Sequence, residues 1–385
     1  MIRNRDFIVF SDDWGRLPFS CQHIMQHFLP ENRILWVNTV GLRRPVLNFC
    51  DIKRSFEKIR SFFMVKGEIQ DSPRNLWISD PMMIPYSQLR IVREFNKFSA
   101  VKKIRAFIKR YGFSNPVVIS TVPNVADYVK EFNEDMVIYY CIDDYTRSPA
   151  LDSSLVEKME EKLLYSCDLV VASSRDLCEK KKRGMKQPLF LPHGVDFDHF
   201  QVGKGEVHEM MRHLPRPTIG FFGVISHWLN VQLIKFLANE RPRWSFVFIG
   251  PSDIDLRVFG ELKNTHFPGK VSYEELPNYA AEFDVGIIPF LLNDFTVSVN
   301  PIKLLEYLAC GLPVVTIDMP EVRTYSGVVH IASSFEDFLL GLEKSLRENN
   351  SRSEAERKKI ARKYSWISIA EKLSAIIAEN SGKFG

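Results

Sequence analysis

No stretch of this chain approaches the roughly 18 to 20 consecutive apolar residues that carry a helix through a bilayer, so a membrane span is not expected. The opening residues Met1-Ile2-Arg3-Asn4-Arg5-Asp6 lack the apolar core of a secretory signal, and a cytoplasmic protein is the reading that follows. Cysteine is sparse. Six residues (Cys21, Cys50, Cys141, Cys167, Cys178, Cys310) are scattered over 385 positions without one Cys-x-x-Cys pair, which argues against a zinc site or a disulfide framework. They are expected to be small buried hydrophobes. Common catalytic signatures are missing too: there is no Gly-x-Ser-x-Gly, no His-Glu-x-x-His, no Gly-x-x-x-x-Gly-Lys-Ser/Thr and no dinucleotide glycine fingerprint after the first strand. A net charge of +4 is too small to point to nucleic acid. Neither an internal repeat nor a low-complexity segment is visible.

What is present is a regular alternation. Short β-branched runs alternate with helical patterns along the whole length, which predicts parallel sheets covered by helices on both faces. Strands are expected at Phe7–Phe10, Arg33–Asn38, Val117–Ser120, Val137–Cys141, Leu169–Ala172 and Leu189–Leu191. A second series follows at Thr218–Phe222, Trp244–Ile249, Val285–Pro289 and Val314–Ile317. A chain of this length suits two domains. Between the two series runs His193-Gly194-Val195-Asp196-Phe197-Asp198-His199-Phe200, which sets the expected boundary: residues 1–192 in the first domain and 193–365 in the second. Two such α/β domains would meet at a cleft, with ligands outside the carboxyl ends of the strands.

The positive charge is unevenly spread. At 43–66, Arg43, Arg44, Lys53, Arg54, Lys58, Arg60 and Lys66 face only Asp51 and Glu57, with Ile52, Phe56, Ile59 and Phe63 at helical spacing. At 90–110 a second run holds Arg93, Lys97, Lys102, Lys103, Arg105, Lys109 and Arg110 with Phe95, Phe98 and Phe107 interleaved. Such basic helices suit an anionic membrane surface. They equally suit helices whose apolar stripes face the core and whose charges are solvated.

The densest chemistry lies in Asn300-Pro301-Ile302-Lys303-Leu304-Leu305-Glu306-Tyr307-Leu308-Ala309-Cys310-Gly311-Leu312-Pro313-Val314-Val315. Pro301 fits a first helical turn and Gly311 a left-handed stop. Lys303 and Glu306 then share one face, opposite Leu304, Leu305 and Leu308. A lysine in the first turn attracts phosphate, and a carboxylate one turn deeper can accept from ribose hydroxyls. An amphipathic helix with a surface ion pair would read the same way.

This segment resembles the donor-site signature of the GT-B glycosyltransferases, especially the retaining nucleotide-sugar enzymes of glycosyltransferase family 4. The resemblance implies two Rossmann-like, doubly wound parallel-sheet domains facing a cleft, with the last helix, within 366–385, crossing back to the first domain. It puts Glu306 on the nucleotide ribose. Many members carry a second glutamate eight residues earlier that touches the transferred sugar; here that residue is Ser298, in a loop with Asn300. The run His193 to Phe200 is similar to the family's interdomain Asn-Gly-Val-Asp-x-x-x-Phe.

Further loops are implied at strand ends. Asp13, Gly15 and Arg16 fall in the loop after the first strand, where family members approach the donor phosphates and the acceptor. Asp143 and Asp144 follow the strand ending at Cys141, where members often have His-Asp; adjacent carboxylates there are expected to have raised pKa values, or to cap a helix and face solvent. Gly223 opens a loop containing His227, yet the usual Arg and Lys that neutralise the diphosphate are absent from it, which makes Lys303 the leading phosphate ligand. Gly250 and Ser272 belong to loops that hold the nucleobase. Asp253-Ile254-Asp255 has the letters of a metal-binding Asp-x-Asp, but its place after the nucleobase loop makes the match fortuitous, so no metal and no cofactor are expected. Ser351-x-x-Glu354 reads as a capping box.

The expected function is transfer of a sugar, a hexose in a retaining reaction, from a nucleoside-diphosphate sugar to a glycan or lipid-linked acceptor in cell-surface polysaccharide synthesis. An inverting reaction would take Asp143, Asp144 or Asp13 as base. A non-hydrolysing nucleotide-sugar 2-epimerase and a catalytically silent nucleotide-sugar-binding scaffold are the alternatives.

Overall fold

Strands form where β-branched and aromatic residues cluster. In the computed structural model, which describes residues 1–15, 19–39, 74–84, 87–147, 151–201, 209–260 and 262–381, the strands make two wholly parallel sheets. The chain divides into two compact units, one of Met1–Leu191 with Ile369–Gly385 and one of Pro192–Ser368.

The first unit holds β1 (Asp6–Ser11), β2 (Arg33–Asn38), β3 (Leu76–Ser79), β4 (Val117–Ser120), β5 (Met136–Cys141), β6 (Leu169–Ala172) and β7 (Leu189–Phe190). They lie in the order β3-β2-β1-β4-β5-β6-β7. β1 pairs with β2 (Asp6 with Arg33) and with β4 (Phe7 with Val117), so successive connections leave β1 in opposite directions. That reversal opens a crevice beyond the carboxyl end of β1. Side chains alternate across the sheet. Ile8, Phe10, Leu35, Val37, Val118 and Tyr139 join one core cluster, while Phe7 and Val9 are buried on the other face, where Phe7 meets Phe28 of α1 (Ser20–Phe28) at 5.4 Å. α2 (Arg90–Tyr111) ends at Gly112, whose φ of 63° supplies the left-handed stop. α3 (Ser153–Ser166) and α4 (Arg175–Lys180) are capped by Asp152 and Ser174, which accept from Leu155 N and Leu177 N.

The second unit repeats the plan with β8 (Thr218–Phe222), β9 (Ser245–Ile249), β10 (Thr265–Gly269), β11 (Val285–Ile288), β12 (Val314–Ile317) and β13 (His330–Ala332), ordered β10-β9-β8-β11-β12-β13. Its switch point lies between β8 and β11. α5 (Val231–Glu240) starts at the Asn230 cap, α6 (Ile302–Cys310) follows the switch-point loops, and α7 (Phe335–Glu348) starts at the Ser334 cap. α8 (Ser351–Lys363) is capped by Asn350 and Ser353, one residue before the expected Ser351–Glu354 box, because the Asn350 carboxamide reaches the amides of Arg352 and Ser353. α9 spans Trp366–Asn380. Its residues from Ile369 onward belong to the first unit, where Ser374 Oγ accepts from the Ile2 amide at 2.5 Å.

Three strands escape the sequence pattern: β3, β10 and β13. All are sheet edges with partly exposed residues, so hydrophobic alternation is weak there. β10 also contains Pro268, tolerated only on an edge; Pro268 and Gly269 end this strand just ahead of the loop that holds Ser272. No helix among the described residues is long and apolar enough to cross a membrane. The basic run at 43–66 lies outside the described residues.

Candidate functional site

In the second unit the site is built around the start of α6. Pro301 is its N-cap, one place before the expected first turn, and no side chain caps the helix. Gly311, at φ 81°, stops it. Tyr307 fixes the helix in place: its ring covers Gly286 of β11 and its hydroxyl accepts from the Phe222 amide at the end of β8 at 3.1 Å. The first turn of α6 is thereby held at the switch point.

Lys303 extends from that turn across Gly223. A Cβ at position 223 would lie 2.1 Å from the Lys303 Cε and crowd its Nζ, and a Cβ at Gly250 would lie 2.1 Å from the Gly223 carbonyl oxygen. Both glycines have φ near 140° (141° and 140°), so two constraints meet at each position. Gly223 N donates to Ile249 O and Gly250 N to Gly269 O, each at 2.8 Å, which ties three strand-end loops together beneath the lysine. Ser298 and Asn300, in the segment leading into α6, are both buried.

Glu306 keeps some accessible surface yet lies deep among protein atoms. Burial raises its carboxyl from the ordinary 4.5 to about 7, with the Lys303 ammonium pulling the other way. Its charge also reaches Tyr273, whose phenol burial raises further. The Tyr273 ring stacks on His199 at 4.5 Å, and its carbonyl accepts from His199 Nε2 at 2.9 Å. A cation, a carboxyl poised near neutrality and an aromatic ring thus converge at the carboxyl end of the sheet. Such a set can neutralise a diphosphate and accept from a vicinal diol. Tyr273 was not singled out by the sequence, although it ends the loop containing Ser272; its neighbour Glu306 is distant in the chain and no local pattern joins them.

The remaining residues of this unit divide. His227 is exposed, with Nδ1 at 3.0 Å from Ser226 Oγ, which itself donates to Asp253 Oδ2 at 2.9 Å. Asp255 accepts from the Arg257 amide at the start of a short 3-10 turn, so both carboxylates of the Asp-x-Asp letters have structural partners. Ser272 is exposed and its hydroxyl donates to Glu275 at 2.7 Å. Among the described residues no group of three or more His, Cys, Asp or Glu side chains is placed to hold a metal ion.

In the first unit, Asp13 and Gly15 lie in the loop after β1, and Asp143 and Asp144 in the loop after β5, which diverge from the switch point with those of β4. Arg16 falls outside the described residues. Gly15 has a φ of 78°, which favours glycine, and no atom among the described residues would meet a Cβ there. Its amide donates to Gln22 Oε1 at 3.0 Å. Asp12, not singled out by the sequence, and Asp143 both act on the Tyr145 phenol, already raised by burial.

Asp144 also departs from expectation. Burial alone would raise its pKa, but Lys181, Thr146 and Lys180 outweigh that and hold it low. Lys181 Nζ donates to Asp144 Oδ1 at 3.3 Å and to Glu160 Oε2 at 2.8 Å, and the Tyr139 hydroxyl donates to Glu160 Oε1 at 2.7 Å. All three charged side chains are buried. A carboxylate so held is a support for its loop and a poor proton acceptor. An open cavity of about 650 Å³ lies at the amino ends of the strands of this sheet, where Arg5 pairs with Asp135 and Arg33 with Asp6. Its charges are mutually satisfied, and it is remote from the carboxyl ends of the strands.

Two Rossmann-like units of parallel sheet in one chain define the GT-B class. Solved structures of that class match nearly the whole chain: Anabaena Alr3699/HepE in complex with UDP and glucose (TM-score 0.64, 11% identity, 97% of this chain and 99% of that one) and sucrose-phosphate synthase from Thermosynechococcus elongatus (0.68, 12%, 98% and 99%). More particularly, residues 216–339 match the family model described as glycosyl transferases group 1, and these residues include Gly223, Lys303 and Glu306. TuaH of Bacillus subtilis, named as a teichuronic acid biosynthesis glycosyltransferase, is 26% identical over 257 residues, covering 61% of this chain and 65% of TuaH. The chain's likeness to group 1 glycosyltransferases is therefore shown, and the family model's match lies within its second unit.

Proposed function

We propose that the protein transfers a hexose from a nucleoside-diphosphate sugar to a glycan or lipid-linked acceptor in the synthesis of a cell-surface polysaccharide. The observation that carries this reading is Lys303 laid across Gly223 at the uncapped start of α6, with Glu306 one turn deeper. The group 1 match spans the same residues and favours a transferase over an epimerase or a silent scaffold. TuaH's name supports a surface polysaccharide as product, and the UDP in the HepE complex makes uridine nucleotides the first donors to try.

In this reading Lys303 and the helix N-terminus carry the charge that develops on the leaving diphosphate, with no metal required. Glu306, once ionised, accepts from the ribose hydroxyls, and Tyr273 closes one wall of that subsite. Ser298 and Asn300 shape the loop beside the phosphates. Gly250 and Ser272 border the base. A retaining reaction lets the departing phosphate take the acceptor proton. If the outcome is inverting, Asp13 or Asp143 is the base, since Asp144 is held by its lysines. His227 lies at the rim of the donor loop, available to an acceptor hydroxyl. A lipid-linked acceptor is presented at a bilayer, which places the protein at the cytoplasmic face of the membrane.

The test is incubation of purified protein with a panel of nucleotide sugars, with and without a polysaccharide-derived acceptor. Acceptor-dependent release of nucleoside diphosphate, surviving chelation, is the expected result; an isomerised sugar, or binding without turnover, refutes it.

A further inference from the structure

Not every apolar residue of α2 packs inward. Its buried positions are Asn96, Ala100, Val101 and Ile104, a short core face of mostly small residues. Asn96 is held there by a reciprocal pair of bonds with the Ile84 backbone, at 2.8 and 3.0 Å. On the opposite side Ile91 is 84% and Phe98 65% exposed, and Leu89 just before the helix is 59% exposed. At 100° per residue, Ile91, Phe98, Lys102, Arg105 and Lys109 fall on one stripe running the length of the helix. The 22 residues of α2 carry eight basic side chains and one acidic one. Arg93 pairs with Asp127, and Lys97 and Arg105 with Glu131, so three of the eight are neutralised at home. Lys102 and Lys109 have no acidic partner among the described residues, and Lys102 lies over the Phe98 ring at 5.7 Å.

We propose that this stripe of α2 docks the protein onto an anionic lipid bilayer, Ile91 and Phe98 entering the headgroup boundary and Lys102 and Lys109 meeting lipid phosphates. The proposal rests on the membrane placement above and names the surface that makes it. Charge complementarity selects the occupant: unpaired lysines alongside large exposed apolar side chains match a surface that is negative outside and apolar beneath. Nucleic acid would use the lysines and leave Ile91 in water.

The experiment is co-sedimentation of the full-length protein with phosphatidylcholine vesicles, with or without phosphatidylglycerol, at low and high salt. Wild-type protein is expected to sediment with the anionic vesicles at low salt and to be released at high salt. The variants Ile91→Ser/Phe98→Ser and Lys102→Glu/Lys109→Glu are each expected to lower the bound fraction about tenfold. These positions are exposed, and unchanged nucleotide affinity checks that the fold is intact. Equal binding to neutral vesicles overturns the proposal, as does binding of DNA in preference to vesicles. Wild-type-like binding by both variants also overturns it, as the basic run at 43–66 acting alone would produce. Because sedimentation needs no donor and transfer to a water-soluble acceptor needs no vesicle, loss of one does not imply loss of the other.

Discussion

A carboxyl whose titration is lifted to about 7 responds to pH near neutrality, where an ordinary glutamate does not. If ribose is held by the ionised form, nucleotide affinity climbs as pH rises through about 7, and Glu306→Gln abolishes that climb; calorimetry on both proteins across the range measures it. Glu306→Ala is expected to weaken nucleotide binding by about 1.5 to 3 kcal/mol, the range for a lost charged hydrogen bond. The same group acts on stability. The folded chain holds this proton up to about 7 while the unfolded chain releases it near 4.5, so the unliganded protein loses up to roughly 3 kcal/mol as pH rises between those values. Denaturant titrations at pH 5 and 8 should show a loss that Glu306→Gln lacks. The likeness to a donor signature marks Glu306 in the sequence, but its raised pKa was not legible there, because it comes from burial within the folded unit, which no local pattern of residues displays.

At the scale of elements, Lys181 of the first unit is the clearest case of a group working through its neighbours. It joins α3, through Glu160, to the loop after β5, through Asp144, while Tyr139 completes the cluster from the strand itself. Lys181→Met takes the buried cation from between Glu160 and Asp144 and is expected to cost about 3 to 5 kcal/mol in urea unfolding. Tyr139→Phe removes one hydrogen bond to Glu160 and should cost less, about 1 to 2 kcal/mol. The sequence showed adjacent aspartates at a strand end and nothing of the lysine tens of residues away, so their environment was misjudged for Asp144. Central strands such as β2, β4, β6, β8 and β12 were legible to the residue, because burial on both faces demands continuous apolar runs. In the second unit, Gly223→Ala drives a methyl into the path of Lys303 at a backbone angle that disfavours any side chain. Diphosphate binding is expected to fall at least about tenfold, with nucleoside binding little changed, since Lys303 is proposed to serve the phosphates alone.

For the molecule as a whole, the alternation of strands and helices was enough to imply two parallel-sheet units. Periodicity alone could not supply the partnership of distant segments inside each. The first unit includes the chain from Ile369 onward, and Ile369, Ala370, Leu373 and Ile377 are all buried. Ending the chain after Ser368 should therefore remove the first unit's thermal transition while leaving one for the second unit, as differential scanning calorimetry would resolve. The order of synthesis gives this arrangement a further meaning. Residues 1–191 leave the ribosome first, yet α9 emerges only after all of the second unit. The second unit can finish folding while the first still exposes the strip that α9 will cover, so the part made earliest is the part completed last.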